Sequence, residues 1–444
     1  MCDTPTTTTA SSSRRELVPG MCVKCKAAKP SVTIRRILYC KQCFVRASVV
    51  KFRAAIAKSR KRVDWPRTKV LVAFSGGAAS SALLKLTADL QRMERKGTDA
   101  EPPFTAAVVG HIDESCLFPG DQENVIRAIA AETDLDYNSL ALEDAFAPEE
   151  GRAALLELVQ ASMAPGTVRD QIYARLVQPA LASGSHADQL KALFAGLESA
   201  TDREDMLDII KTALLLRLAR ESGCDVVLLG DSATRVAVKA MALTARGRGI
   251  SLPLETSAES QWFHDLLLLR PMRDFTAKEV VYFNRWTRQR SAHVPTFTTG
   301  GPRRASIGRL AEAFIVELDQ DFSSTVPTVC RTLQKLEPRP EALAAAACIL
   351  CGFPAEEDAN VWRRRLTVSG AQDVQQAPAS IESNTRDLTA RLCYSCQNLL
   401  HNAAPGTILP RVCTPYNDPK AALDHRDELR AKVEEFFISD NEEL

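Results

Sequence analysis

Along the middle of the chain, apolar runs of strand length alternate with longer amphipathic stretches. The run KVLVAFS at 69–75 is apolar on both faces and stops at Gly76-Gly77, which predicts a short buried strand. A helix is expected from about Ser80. Three further strands are predicted by TAAVVGHID at 105–113, DVVLLGD at 225–231 and LLLLRP at 266–271. The last two are followed by helix-like ATRVAVKAMALTARG and FTAKEVVYFNRW, and the glycine-poor stretch 121–222 predicts helix throughout. Strands alternating with helices imply an α/β fold, a Rossmann-like parallel sheet covered on both faces.

Upstream, CFVRASVVKFRAAIAKSRKR places Val45, Val49, Phe52 and Ile56 at helical spacing, with Arg46, Lys51, Arg53 and Lys58 between them. Trp65-Pro66 marks a break after it. Four parts follow: a Thr/Ser-rich tail at 1–19, expected to be disordered, and a basic module at 20–62. An α/β domain then spans 63–324, with a helical insertion at about 121–205. A last region, 325–444, carries a polar insert at 367–385.

With 45% hydrophobic and 25% charged residues, the 444-residue chain can bury a sizeable core in two to three domains. The net charge of +1 conceals an asymmetry. Residues 22–62 carry 13 Lys or Arg and no Asp or Glu, leaving 43 basic against 55 acidic residues elsewhere. A basic module on an acidic body points to a polyanion, and nucleic acid comes first. Lys51, Arg53, Lys58, Arg60, Lys61 and Arg62 are the expected phosphate contacts, with Arg246 and Arg248 as a weaker second set. The alternative is a solvated helix face. No apolar run is long enough to span a bilayer, and the N-terminus lacks the apolar segment of a secretory signal. No membrane association is expected, and the location expected is cytoplasmic.

Eight of the 13 cysteines form four CxxC pairs. Cys22-x2-Cys25-x14-Cys40-x2-Cys43 has the spacing of a zinc ribbon or knuckle, in which four thiolates close a tetrahedral shell around Zn²⁺. Lys24, Lys26 and Lys41 beside the turns favour the thiolate form. Cys348, Cys351, Cys393 and Cys396 form a second quartet if the polar insert loops out, with His401 and Cys413 as possible substitutes. Zn²⁺ is the expected metal; an iron–sulfur cluster also takes four cysteines.

Ser75, Gly76, Gly77, Ser80 and Ser81 lie in a glycine turn between a strand and a helix. Such a turn lets backbone N–H groups approach a phosphate at the helix N-terminus. The segment KVLVAFSGGAASSALL resembles the SGGxDS loop of the PP-loop ATPases, a family with the adenine-nucleotide alpha-hydrolase-like fold. Its Asp is replaced here by Ala79. Residues 230–235, GDSATR, stand where those enzymes carry GHNxDD, so Asp231 replaces the His, and Thr234 and Arg235 replace the two acids. The ARGRG stretch and LRPMRDFTAKEV match the family's layout. The two cysteines used by thiolating members have no good counterpart: Cys116, Cys224 and Cys330 are each misplaced or alone.

Taken with the two paired-cysteine modules, these segments resemble the cytoplasmic tRNA 2-thiolation protein 2 family over nearly the whole chain. The resemblance implies a heterodimer with the catalytic thiolation protein 1, acting on U34 of the tRNAs for Lys, Glu and Gln. A thiocarboxylated ubiquitin-like carrier would supply the sulfur, and protein modification by that carrier is a further implied role. The lost acids and cysteines imply a non-catalytic subunit, with ATP binding doubtful. Two alternatives stand beside it: an active ATP-dependent tRNA thiolase, and a zinc-ribbon RNA-binding scaffold unrelated to thiolation.

Overall fold

A computed structural model describes residues 20–59, 63, 65–95, 104–147, 184–263, 265–359, 362–363, 392–404, 407 and 409–410. The expected tail at 1–19, the polar insert at 367–385, Arg60, Lys61, Arg62 and Cys413 lie outside the described residues. The described chain opens with a hairpin, β1 (Val32–Ile34) and β2 (Ile37–Tyr39), followed by helix α1 (Lys41–Lys58). Then come β3 (Lys69–Ala73), α2 (Ala78–Arg95), β4 (Ala106–Asp113), α3 (Gln122–Ala131) and β5 (Asp136–Ala141). Helices α4 (His186–Ala195) and α5 (Ala200–Glu221) lead to β6 (Val226–Leu228) and α6 (Ala233–Ala245). The body closes with β7 (Glu259–Ser260), β8 (Leu267–Leu269) and α7 (Ala277–Thr287). Helices α8 (Ile307–Asp321), α9 (Thr325–Leu333) and α10 (Tyr394–His401) follow.

The main sheet has six strands in the order β5-β4-β3-β6-β8-β7. All neighbours pair in parallel except β7, which runs antiparallel at one edge. This confirms the expected α/β class. Strands β5 and β7 are additions to the predicted set, and β5 corrects the reading of 121–222 as helix throughout.

The pleat explains why the core strands read as continuous apolar runs. Val70 and Val72 enter one hydrophobic cluster, and Leu71 between them enters the other. Leu267 and Leu269 divide from Leu268 in the same way, as Val226 and Leu228 divide from Val227. Side chains alternate across a strand, so a sheet covered on both faces needs apolar residues at every position. One face carries α1, α2 and α7; the other carries α4 and α5.

Each paired-cysteine module joins a different face. Val32, Ile34, Phe44, Phe52 and Ile56 of the N-terminal module belong to the cluster holding Val70 and Val72. Cys348, Ile349, Leu350 and Phe353 of the C-terminal module belong to the cluster holding Leu71. On α1 the buried line is Phe44, Ser48, Phe52 and Ile56, one step round from the expected one; Val45 and Val49 are half-buried.

Candidate metal centres and the phosphate loop

Both cysteine quartets assemble, and their builds match. In each, all four Sγ atoms lie within 4.8 Å of one another. Cys25 and Cys40 stand 3.9 Å apart, and Cys351 and Cys393 3.8 Å apart. A disulfide would need about 2.0 Å, whereas four thiolates around one zinc at about 2.3 Å are spaced by nearly 4 Å. The described cysteines are all free.

The first CxxC of each site sits on a knuckle closed by a left-handed residue right after its second cysteine. That residue is Lys26 (φ 56°) in one site and Gly352 (φ 74°) in the other. The backbone N–H of Lys26 donates to Cys22 O, and that of Gly352 donates to Cys348 O. The second CxxC of each site opens a helix: Cys40 caps α1 and Cys393 caps α10, placing Cys43 and Cys396 in the first turns. A helix N-terminus favours a thiolate.

Proton chemistry explains why such a set suits a cation. Burial opposes ionisation of Cys22, but the backbone N–H groups of Cys25, Cys40 and Lys24 outweigh it and bring the thiol down to about 6. Cys43 is pushed up to about 12 by burial and by the three neighbouring sulfurs. In the second site burial raises Cys348, yet its three partner thiols hold it well below the ordinary range. Cys393 and Cys396 are held well above that range, each first by Cys348. Cys25 is lowered too, first by the backbone N–H groups of Ala27 and Ala28. Such local donors favour some thiolates of a cluster while its other cysteines are pushed up; a dication binding all four favours them together. His401 is exposed and outside the cluster, so it is not a substitute ligand.

The sites differ in burial. Cys25 is exposed, whereas the second quartet is 0–9% exposed. Behind that second quartet, Arg248 Nη2 donates to Asp205 Oδ2 at 2.9 Å and lies 3.9 Å from Cys396 Sγ. Arg246 Nη1 donates to Asp205 Oδ1 at 2.8 Å. Arg246 and Arg248 are therefore internal struts, which corrects their reading as a second phosphate-binding set. Gly247 between them has φ 76°, and a Cβ there would stand 2.5 Å from the Tyr394 ring.

Lys51 needs the same correction. Its Nζ lies 2.7 Å from Glu279 Oε1 and 4.3 Å from the centre of the Phe275 ring. It ties α1 to α7 instead of waiting for phosphate. Arg53 and Lys58 are exposed on α1.

The glycine loop follows β3 at the point where strand order reverses. The chain runs outward through β4 and β5, then returns to place β6 on the other side of β3. Ligands of open α/β sheets bind in the crevice at such a switch point. Gly76 has φ 78°, and a Cβ on it would stand 2.6 Å from Ile126. A Cβ on Gly230 would stand 3.0 Å from Ser80 Cα, so the 230–235 loop packs directly on the glycine loop. Ser75 is exposed, but Ser80 and Ser81 are buried and turn their hydroxyls to the loop's own carbonyls, Gly77 O and Gly76 O. These two serines brace the loop.

No carboxylate is free beside the loop among the residues that replace the family's acids. Ala79 has none. Asp231 accepts from Arg270 Nε at 3.1 Å, and Arg270 is 2% exposed. Burial works against Asp231's charge, but Lys239, Arg270 and Arg235 outweigh it and hold the carboxyl below its usual range. Thr234 accepts from Ala277 N. The three unpaired-motif cysteines are also poor nucleophiles. Burial pushes Cys224 up to about 11 and raises Cys116 and Cys330.

Asp231→Asn is expected to cost about 3 kcal/mol at neutral pH, because it strands a buried guanidinium. The folded-state pKa is lowered, so this stabilisation is present above the ordinary carboxylate range and lost as pH falls through the folded value. Urea titrations should therefore show the gap between wild type and variant closing on acidification; a gap constant with pH would contradict the pairing.

The sheet, its switch-point glycine loop and the two four-cysteine modules define an open α/β protein with two candidate metal centres and a glycine loop in which Ala79 offers no carboxylate. Comparison with known proteins makes the assignment narrower. A family model described as cytoplasmic tRNA 2-thiolation protein 2 matches residues 306–398. The protein of that name from Bos taurus is 32% identical, over 95% of this chain and 93% of its own. That from Homo sapiens is 33% identical, over 76% of this chain and 72% of its own. The chain belongs to the cytoplasmic tRNA 2-thiolation protein 2 family. Among solved structures, the U34-tRNA thiolase NcsA from Methanococcus maripaludis, determined with its 4Fe-4S cluster, is similar at 16% identity. Its TM-score is 0.48, over 72% of this chain and 90% of that one.

Proposed function

We propose that this chain is the non-catalytic subunit of a heterodimer that 2-thiolates the wobble uridine U34 of cytoplasmic tRNAs for Lys, Glu and Gln. One observation carries the non-catalytic part: Ala79 offers no carboxylate at the glycine loop, and the nearby Asp231 is engaged by Arg270. A nucleotide-hydrolysing site needs free acids to hold Mg²⁺ against its phosphates. The raised thiols of Cys116, Cys224 and Cys330 support the same reading, since sulfur transfer needs a thiolate. The chain then serves to hold tRNA and to support a catalytic thiolation protein 1, which receives sulfur from a thiocarboxylated ubiquitin-like carrier.

The remaining assignments follow from that role. Both cysteine quartets hold structural Zn²⁺, which would lock each knuckle to its helix. Arg53 and Lys58 contact tRNA phosphates, and Arg60, Lys61 and Arg62 extend the same basic run. The 20–62 module is the RNA-facing part, carried by the 63–324 body and buttressed by the 325–444 region.

The test is deletion of the gene with mass-spectrometric measurement of 2-thiolated wobble uridine in bulk tRNA. Thiolation should be lost and return with the wild-type chain, and with Gly77→Asp, which puts a phosphate-repelling carboxylate in the glycine loop where a side chain has room. Rescue by wild type but not by Gly77→Asp, with the variant folded, would instead make the loop functional. Unchanged thiolation in the deletion would remove the role altogether.

A further inference from the structure

The N-terminal module holds a cavity of about 290 Å³ between the β1–β2 hairpin, α1 and α7. Ile34, Ile37, Tyr39 and Phe44 supply its apolar wall. Arg35 stands at the hairpin turn, and Lys51 and Glu279 close the side towards α7. The polar groups of that side are already satisfied: Glu279 Oε1 takes Lys51, and Oε2 takes the N–H and hydroxyl of Thr276. Tyr39 differs. It is half-buried, and its hydroxyl makes no hydrogen bond among the described residues.

Three further observations bear on what would fit. Arg35 (φ 46°) and Arg36 (φ 68°) are consecutive left-handed residues at the turn, where glycine or asparagine is the unstrained choice. Both are exposed; Arg35 lines the cavity and Arg36 follows it in the turn. Phe44 continues into an aromatic series, 5.2 Å from Trp286, which lies 5.1 Å from Tyr282. Glu279, Asp274 and Asp319 are carboxylates near this module: Glu279 is neutralised by Lys51, Asp274 offers its backbone carbonyl to Arg35, and Asp319 lies close enough to Arg35 to feel its charge. The other surrounding charges, Arg36, Lys41, Arg46, Arg285 and Arg288, are positive and exposed.

We propose that this cavity seats one unstacked nucleotide of single-stranded RNA, its base against Tyr39 and Ile37 and its phosphates against Arg35 and Arg36. An apolar aromatic slot with a cationic rim is how proteins hold single-stranded RNA: the base stacks, and the backbone is neutralised outside. The inference deepens the tRNA-holding role and rests on it for the identity of the RNA. It makes the N-terminal module a clamp for an unpaired segment instead of a duplex-binding surface.

The test uses the full chain with its metal bound. Binding of an oligouridine 8-mer and of unmodified tRNA would be followed by fluorescence anisotropy across a salt series. Two variants probe the slot: Ala47→Trp, which fills it without changing charge, and Tyr39→Leu, which removes the ring; Tyr39→Phe is the conservative control. Both probes should weaken 8-mer binding about tenfold, leave the salt slope unchanged and retain the wild-type unfolding temperature. Tyr39→Phe should stay within about twofold. Photocrosslinking of a 4-thiouridine 8-mer to the wild-type chain should map to the hairpin or the start of α1. Unchanged affinity in both variants, or crosslinks confined elsewhere, would overturn the slot. Thiolation in cells separates the two readings. Unchanged 8-mer binding in both variants, with thiolation still dependent on the chain, rejects only the slot; a working slot with thiolation intact in the deletion rejects only the pathway.

Discussion

Cys396→Ser is expected to halve the bound metal and to prevent stable folding of the whole body, whereas Cys25→Ser should halve the metal and leave the body folded. The difference lies in what each quartet is packed into. Cys396 is fully buried in the cluster that also holds Leu71, Val108 and Val227 of the central strands. Its loss opens a metal shell inside the main core, and the binding free energy of a structural zinc, about 10 kcal/mol or more, is folding free energy. That exceeds the 5–15 kcal/mol by which most domains are stable, or comes close to it. Cys25 is exposed, and the strands do not depend on it. Zinc content by metal analysis with thermal unfolding by circular dichroism checks both. A chelator should likewise strip the first site from the folded protein within minutes and reach the second only as the chain unfolds. Equal rates of loss would contradict the asymmetry.

Asp205→Ala should be the most damaging single change that touches no metal ligand. Asp205 is 5% exposed and receives both Arg246 and Arg248. Removing it strands two buried guanidinium groups, one of them beside Cys396, at an expected cost of about 3–5 kcal/mol. Burial works against the charge on Arg248, but Asp205 and then the nearby thiols keep it well above its ordinary range, so it cannot escape by losing its proton. Denaturant titration measures the loss, and Asp205→Asn should recover little of it. A loss below about 1 kcal/mol would mean that the thiolates of the quartet alone hold Arg248.

Much of this design is legible in the sequence, and the failures have physical causes. The CxxC spacings announce both metal sites because a four-sulfur shell needs two such turns. Strands β3, β4, β6 and β8 announce themselves because burial on both faces demands unbroken apolar runs. Strand β5, DYNSLA, does not: it lies at the sheet's edge with mostly solvent-facing side chains, and its strand character comes from pairing with β4. Arg246 and Arg248 look like surface cations because their partner, Asp205, lies about forty residues earlier on another helix. Lys51 misleads for the same reason, its partner Glu279 lying 228 positions away. Charge in a sequence is visible; its neutralisation by a distant residue is not.

The split of the two cysteine modules between opposite faces also constrains how the protein is made. On the ribosome, residues 20–59 emerge early and can cover one side of the sheet as soon as its strands appear. On the other side α4 and α5 arrive earlier, but their cluster stays incomplete until Cys393, Cys396, Leu399 and Leu400 have left the exit tunnel. Until then a nascent chain carries part of that apolar face unsealed, a state that invites chaperones and, if prolonged, proteolysis. A premature stop anywhere before residue 393 should therefore yield no surviving fragment, and cells would read late truncations of this gene as deletions.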